Sequence, residues 1–133
     1  MTESAEIHTG TCLCGGVKYE VAGLLRGIIA CHCSQCRQTS GHYTAATSTP
    51  TANLTFKAAD TLTWYRSSDT AERGFCNRCG GNLFWRPIGG TTTSIMAGTL
   101  DPPTHLAIRE HIYVAAKSDY YSLDDNLPKV PGP

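Results

Sequence analysis

The sequence is short of everything that would commit it to a polyanion or a membrane. Its 11 lysines and arginines are balanced by 11 aspartates and glutamates, so no excess charge marks a face for nucleic acid or an anionic bilayer. It has no long apolar run: the most apolar window, Val21–Cys31, is broken by Arg26 and is too short to span a membrane. Met1–Gly10 holds Glu3 and Glu6 where a secretory leader would be apolar. Nowhere do apolar residues recur at helical spacing over a long stretch. These absences predict a soluble, cytoplasmic protein with no nucleic-acid or membrane partner, and a fold not built on helices. At 133 residues the chain reads as a single domain, 1–133, with a modest core.

What is present is a succession of short β-prone runs punctuated by glycine and proline. Val17-Lys18-Tyr19-Glu20-Val21 alternates apolar and polar residues, the period of a half-buried strand. Gly27-Ile28-Ile29-Ala30 reads as a short buried strand delivering Cys31. Further strands are expected at Tyr43–Thr47, Leu54–Phe56, Leu62–Tyr65, Asn82–Trp85, Thr91–Ala97 and Ile108–Val114. Ala58-Ala59-Asp60 reads as a turn, Arg37–Gly41 as one helical turn, and residues 1–9 as a frayed polar start. The tail from Leu127, with Pro128, Pro131 and Pro133, is expected to be extended and lightly tied down. The pattern predicts a mainly β domain of small packed sheets.

Against this background seven cysteines stand out, in the groups Cys12/Cys14, Cys31/Cys33/Cys36 and Cys76/Cys79. An odd number without a leader argues against a disulfide framework, and such density in a reducing compartment points to a metal. Thiolates select zinc or iron–sulfur chemistry. Spacing alone would allow a ribbon-like site of Cys33, Cys36, Cys76 and Cys79. The glycines favour a different partition. Cys14 is followed by Gly15-Gly16 and Cys79 by Gly80-Gly81, whereas Cys36 is followed by Arg37-Gln38. Glycine there permits a positive φ, so that amides can turn toward the sulfurs. Cys12, Cys14, Cys76 and Cys79 are therefore expected to hold one structural zinc, and Cys31, Cys33 and Cys36 a second.

A closed structural zinc site uses four protein ligands, while a catalytic one keeps a position for water or substrate. Three thiols at the second site fit the catalytic kind. A histidine, His32, His42 or His111, would instead close it as a structural site. His32, between Cys31 and Cys33 on an extended segment, would point away from both. Arg37 and Arg73, each close to a cysteine motif, are the candidates for holding a substrate carboxylate.

The chain resembles the glutathione-dependent formaldehyde-activating enzyme family, whose domain is shared with centromere protein V. The likeness lies in the segments from Gly10 to Glu20 and from Cys31 to Arg37, Ser67-Ser68, the segment from Arg73 to Gly80, Gly98–Asp101 and His111-Ile112-Tyr113. It covers about residues 8–128 and includes all seven cysteines. The resemblance implies a β-tent of small antiparallel sheets stapled by zinc, with carbon–sulfur lyase activity joining glutathione and formaldehyde into S-hydroxymethylglutathione or cleaving that adduct. It also implies the same division of ligands, Cys12, Cys14, Cys76 and Cys79 structural and Cys31, Cys33 and Cys36 catalytic. The sequence departs from the family's pattern at Gly41-His42 and at Asp119-Tyr120-Tyr121, where many members carry a tryptophan.

The chemistry suits the residues. A thiol with a pKa near roughly 8.5 is mostly protonated at neutral pH, and a metal can deprotonate it. A small-molecule thiol and a small aldehyde are thus the expected partners, with two zinc ions as cofactors. No general acid or base stands out. Two other readings compete: a zinc-dependent thiol-binding carrier without turnover, and a structural two-zinc interaction module.

Overall fold

The computed structural model describes residues 6–133, so the expected polar start is answered only from Glu6 onward. Strands take 45% of the residues and helical turns 12%, which makes the fold mainly β as the sequence predicts. A three-stranded antiparallel sheet joins β1 (Ile7–Thr11), β2 (Val17–Ala22) and β5 (Leu54–Ala59). A seven-stranded sheet runs in the order β10-β3-β4-β9-β8-β7-β6. Its members are β3 (Ile28–Cys31), β4 (Thr44–Pro50), β6 (Leu62–Arg66), β7 (Ala71–Cys76), β8 (Asn82–Pro87), β9 (Thr92–Met96) and β10 (Ile108–Ile112). One helix, α1 (Ser34–Ser40), follows β3. No helix among the described residues is long and apolar enough to cross a membrane.

The structure corrects the purely antiparallel expectation at one edge, where β10 pairs with β3 in parallel, with Ile112 opposite Cys31. Parallel neighbours need a long crossover, here everything from Cys31 to Ile108. The first strand was hidden by its composition. In Ile7–Thr11 the inward positions are His8 and Gly10, not apolar side chains. Gly10 is required because a Cβ there would lie 2.2 Å from the Tyr19 ring. β5 extends through Ala58 and Ala59, leaving the turn to Asp60 and Thr61. The tail is also held more firmly than its prolines suggest. His111 N–H donates to Pro128 O (2.9 Å), Val130 N–H to His111 O (2.9 Å) and Tyr113 N–H to Gly132 O (3.0 Å).

The two sheets are joined through Phe84. This fully buried ring of β8 meets Tyr19 of β2 edge-on at 5.3 Å and Phe56 of β5 at 5.7 Å, and stacks on Trp64 of β6 at 6.0 Å. Val17, Val21, Leu83, Ile95 and Leu100 complete that core, and Cys12 and Cys76 belong to it. Strand alternation turns the opposite face of the large sheet toward a cleft. Its floor consists of Cys31 in β3, Thr44 and Ala46 in β4, Ser94 in β9, and Ala71 in β7. Small side chains on these four strands leave a concavity of about 470 Å³.

Candidate metal centres

The seven thiols fall into the two groups that the glycines suggest, Cys12/Cys14/Cys76/Cys79 and Cys31/Cys33/Cys36, each with all its sulfurs within 4.8 Å of one another. All seven are free thiols. No histidine or carboxylate joins either group among the described residues.

The four-thiol cluster is made by two turns that face each other across the core. Cys12 follows β1, and Cys76 is the last residue of β7. Gly15 and Gly80 take φ values of 81° and 78°, the left-handed region expected of them. Their own amides close the turns, donating to Cys12 O (3.3 Å) and Cys76 O (2.8 Å). The sulfurs receive other amides: Val17 N–H reaches Cys12 Sγ at 3.3 Å, and Arg78 and Cys79 N–H both reach Cys76 Sγ at 3.4 Å. Thr61 lies 3.1 Å from Cys76 Sγ, and its hydroxyl is the first cause holding that thiol down to about 5. Outside, Arg78 Nε donates to the exposed Cys14 Sγ at 3.3 Å.

The three-thiol cluster comes from one short segment, and its local structure differs from the sequence expectation. α1 begins at Ser34 rather than at Arg37, because Cys33 caps it: the extended Cys33 accepts the Cys36 amide on Sγ at 3.3 Å. That cap gave no sequence signal, since cysteine is not among the usual capping residues. Gly41 ends the helix at φ 85°, as read from sequence. Cys31 is carried by the end of β3, between Thr44 of β4 and Ile112 of β10. Accepting the Cys31 thiol's hydrogen bond is the main cause that lowers Cys36 to about 5, and donating it raises Cys31. Arg73 Nη2 approaches the Cys36 sulfur at 3.8 Å.

All-sulfur donor sets suit zinc and exclude the oxygen-seeking ions magnesium and calcium. Four thiolates about 2.3 Å from a tetrahedral zinc would lie about 3.8 Å apart. The Cys12–Cys14 and Cys14–Cys76 separations are 3.7 and 3.6 Å. Both clusters therefore fit metal ions, with zinc the natural occupant.

None of the three histidines that might have closed the smaller cluster reaches it. His32 is fully buried on the far side of its strand, bonded to Tyr121 and His111. Burial first, then His111, lowers it to about 4, so its ring is neutral at neutral pH. His42 pairs with the Tyr120 hydroxyl at 2.6 Å, and His111 with Asp125 at 2.8 Å.

Instead the three thiols face the cleft. Arg73 lines it, 5% exposed, with its Nε unpartnered and Nη1 donating to Thr39 Oγ1 at 3.4 Å. Arg37 does not line it; its Nε donates to Ala116 O at 3.2 Å. Arg26, noted in the sequence only as a break in an apolar window, also lines the cleft, and among the described residues no carboxylate does. Trp85 and Tyr113 complete the walls. Tyr113 is left-handed at φ 57°, which is unusual for a bulky residue and typical of functional sites.

The fold has a crystallographic counterpart in a Rhodobacter sphaeroides protein solved as a structural-genomics target. The two share 29% sequence identity at a TM-score of 0.61, over 71% of this chain and 88% of the other. Residues 7–116 match the family described as glutathione-dependent formaldehyde-activating enzyme, a span that includes all seven cysteines. With most of its length and both thiol clusters inside that match, the chain belongs to this family.

Proposed function

We propose that this chain is a single-domain, zinc-dependent carbon–sulfur lyase of the cytoplasm. In this reading glutathione and formaldehyde are interconverted with S-hydroxymethylglutathione, and two zinc ions are held per chain. The observation that carries the reading is the three-thiol cluster: among the described residues it has no fourth protein ligand and faces a cleft lined by two arginines and no carboxylate.

Zinc at Cys31, Cys33 and Cys36 would supply an electrophilic seat that keeps a substrate thiol deprotonated near neutral pH. Cys12, Cys14, Cys76 and Cys79 would hold the structural ion and maintain the sheet that presents the cleft. Arg73, whose Nε has no partner among the described residues, would bind a substrate carboxylate while balancing the charge of Cys36. Arg26 offers a second cation for the other carboxylate of a glutathione-like molecule. Trp85 and Ile112 give the cleft apolar wall that excludes water from the reacting carbon. Overall, the thiol adds across the aldehyde C=O, forming a C–S and an O–H bond; the lyase direction breaks both.

NMR exchange between formaldehyde, glutathione and their adduct tests the proposal. The expected result is exchange faster than the uncatalysed rate in proportion to protein concentration. Binding of glutathione without acceleration would make the chain a carrier. Two four-coordinate ions with no response to thiol would make it a structural module.

A further inference from the structure

A chain of polar groups with two buried histidines at its centre lies behind the three-thiol cluster, on the side away from the cleft. Asp125 Oδ2 is 2.8 Å from His111 Nε2, His111 Nδ1 is 2.9 Å from His32 Nε2, and His32 Nδ1 is 2.5 Å from the Tyr121 hydroxyl. His32 is 0% exposed and His111 3%. The outer end is a carboxylate, which accepts from His111 Nε2–H. The next two links pair ring nitrogen with ring nitrogen and ring nitrogen with hydroxyl, so one donor and one acceptor meet at each and the chain runs unbroken from Asp125 to Tyr121. Lys129 holds the outer end, with Nζ 3.0 Å from Asp125 Oδ1.

His32 is also the one residue joining the two supports of the thiols. Cys31 belongs to β3, whereas Cys33 and Cys36 are fixed to each other by the α1 cap. The separation of Cys31 from the other two therefore depends on the His32 backbone and ring. The backbone is pinned by His32 N–H donating to Ile112 O at 3.0 Å. The ring is pinned by His111, next to Ile112 on β10, and by Tyr121 beyond it.

We infer that Asp125, His111, His32 and Tyr121 are positioning residues that set the spacing of Cys31, Cys33 and Cys36, so that the C-terminal segment is a working part of the three-thiol metal site. This explains a histidine between two cysteines that is not itself a ligand. It rests on the metal-binding half of the proposed function and not on the reaction.

Metal binding alone tests the inference. Cobalt(II) titration, followed by thiolate-to-metal absorption, and zinc competition with a chelator resolve the two clusters. Tyr121→Phe and Asp125→Ala should each weaken metal binding at the three-thiol site by about ten- to a hundredfold, the range for groups that orient ligands. The four-thiol site should be unchanged. Asp125→Asn, which keeps an oxygen for His111 Nε2–H, should bind near the parent level. Parent-like affinity in both Tyr121→Phe and Asp125→Ala overturns the inference, as does equal weakening at both clusters or no rescue by asparagine. Should Asp125→Ala not fold, Tyr121→Phe decides, since it removes one hydroxyl. A parent that binds two ions without turnover defeats the lyase reading and leaves this inference standing; a parent that binds one ion defeats both.

Discussion

The two thiol clusters use the same donor atom and differ in how much chain each gathers. The four-thiol cluster ties residue 12 to residue 79 and is continuous with the hydrophobic core, with Cys76 at 0% exposure and Cys12 at 3%. The three-thiol cluster lies within residues 31 to 36, and two of its members are only half-buried. A metal at the first closes a long loop and is coupled to the whole fold. At the second it closes almost none, so its ligands can change without much consequence for the chain. On the proposed function this separates stability from reactivity: one site would hold the domain together, and the other would be free to leave a position for substrate.

Exchanging one ligand at each cluster should break the comparison most visibly. Cys76→Ser removes a ligand from the long-loop site, where a structural zinc contributes on the order of 10 kcal/mol, comparable to the whole stability of a domain this size. The variant should be insoluble or unfolded by circular dichroism. Cys33→Ser makes the same chemical change in the short-loop site and should stay folded, keep one zinc, and lose thiol binding. A folded Cys76→Ser protein beside an unfolded Cys33→Ser protein would reverse the two roles. Next in size is the order of metal loss. Chelator titration of protein loaded with two zinc ions should strip the three-thiol site first, at chelator concentrations at least about tenfold lower, because an incomplete ligand set holds zinc less tightly. Simultaneous loss would show that the sites are not distinct.

The division of thiols was legible because its signal is local. A positive-φ glycine after the second cysteine of each clip marks a matched pair, and Gly15 and Gly80 adopt that conformation. Most β-strands were legible from alternation or from β-branched and aromatic runs; β1, whose inward places are histidine and glycine, and β7, which carries Glu72, Arg73 and Gly74, were not. Long-range features left no trace in the sequence. Asp125 and His111 are 14 residues apart, and His32 and Tyr121 are 89 apart; no spacing rule connects them. The α1 start was obscured because a cysteine does the work of a serine or aspartate at the cap. Arg26 looked like an interruption of an apolar run because the cleft it lines is assembled from strands far apart in the sequence.

Substrate recognition sharpens the comparison on the cleft side. Arg73→Ala should weaken glutathione binding by about 1.5–3 kcal/mol, the range for hydrogen bonds to charged groups, measured by calorimetry on zinc-loaded protein. Arg37→Ala is the matched control: proposed from its place in the motif, it donates to Ala116 O and should cost less than Arg73→Ala. A larger loss at Arg37 would place the substrate carboxylate on the helix side of the thiols.

The smallest effect compares the same strain applied to each region. Gly80 (φ 78°) and Gly41 (φ 85°) both sit in left-handed turns, and an added Cβ would meet nothing within 4 Å at either. Alanine at each position should therefore cost backbone strain alone, about 1–2 kcal/mol. In Gly80→Ala the strain falls on the clip that closes residues 12 to 79, so it should lower the melting temperature by roughly 4–7 °C. Thiol binding should be untouched there. In Gly41→Ala it falls on the C-terminal turn of α1, whose first turn holds Cys33 and Cys36. Local fraying can absorb it, so the melting temperature should move less. The fraying would loosen Cys36 against Arg73, and metal and thiol binding at the cleft should weaken instead. An equal melting shift in both variants, with unchanged binding in Gly41→Ala, would mean that the two clusters share one cooperative unit.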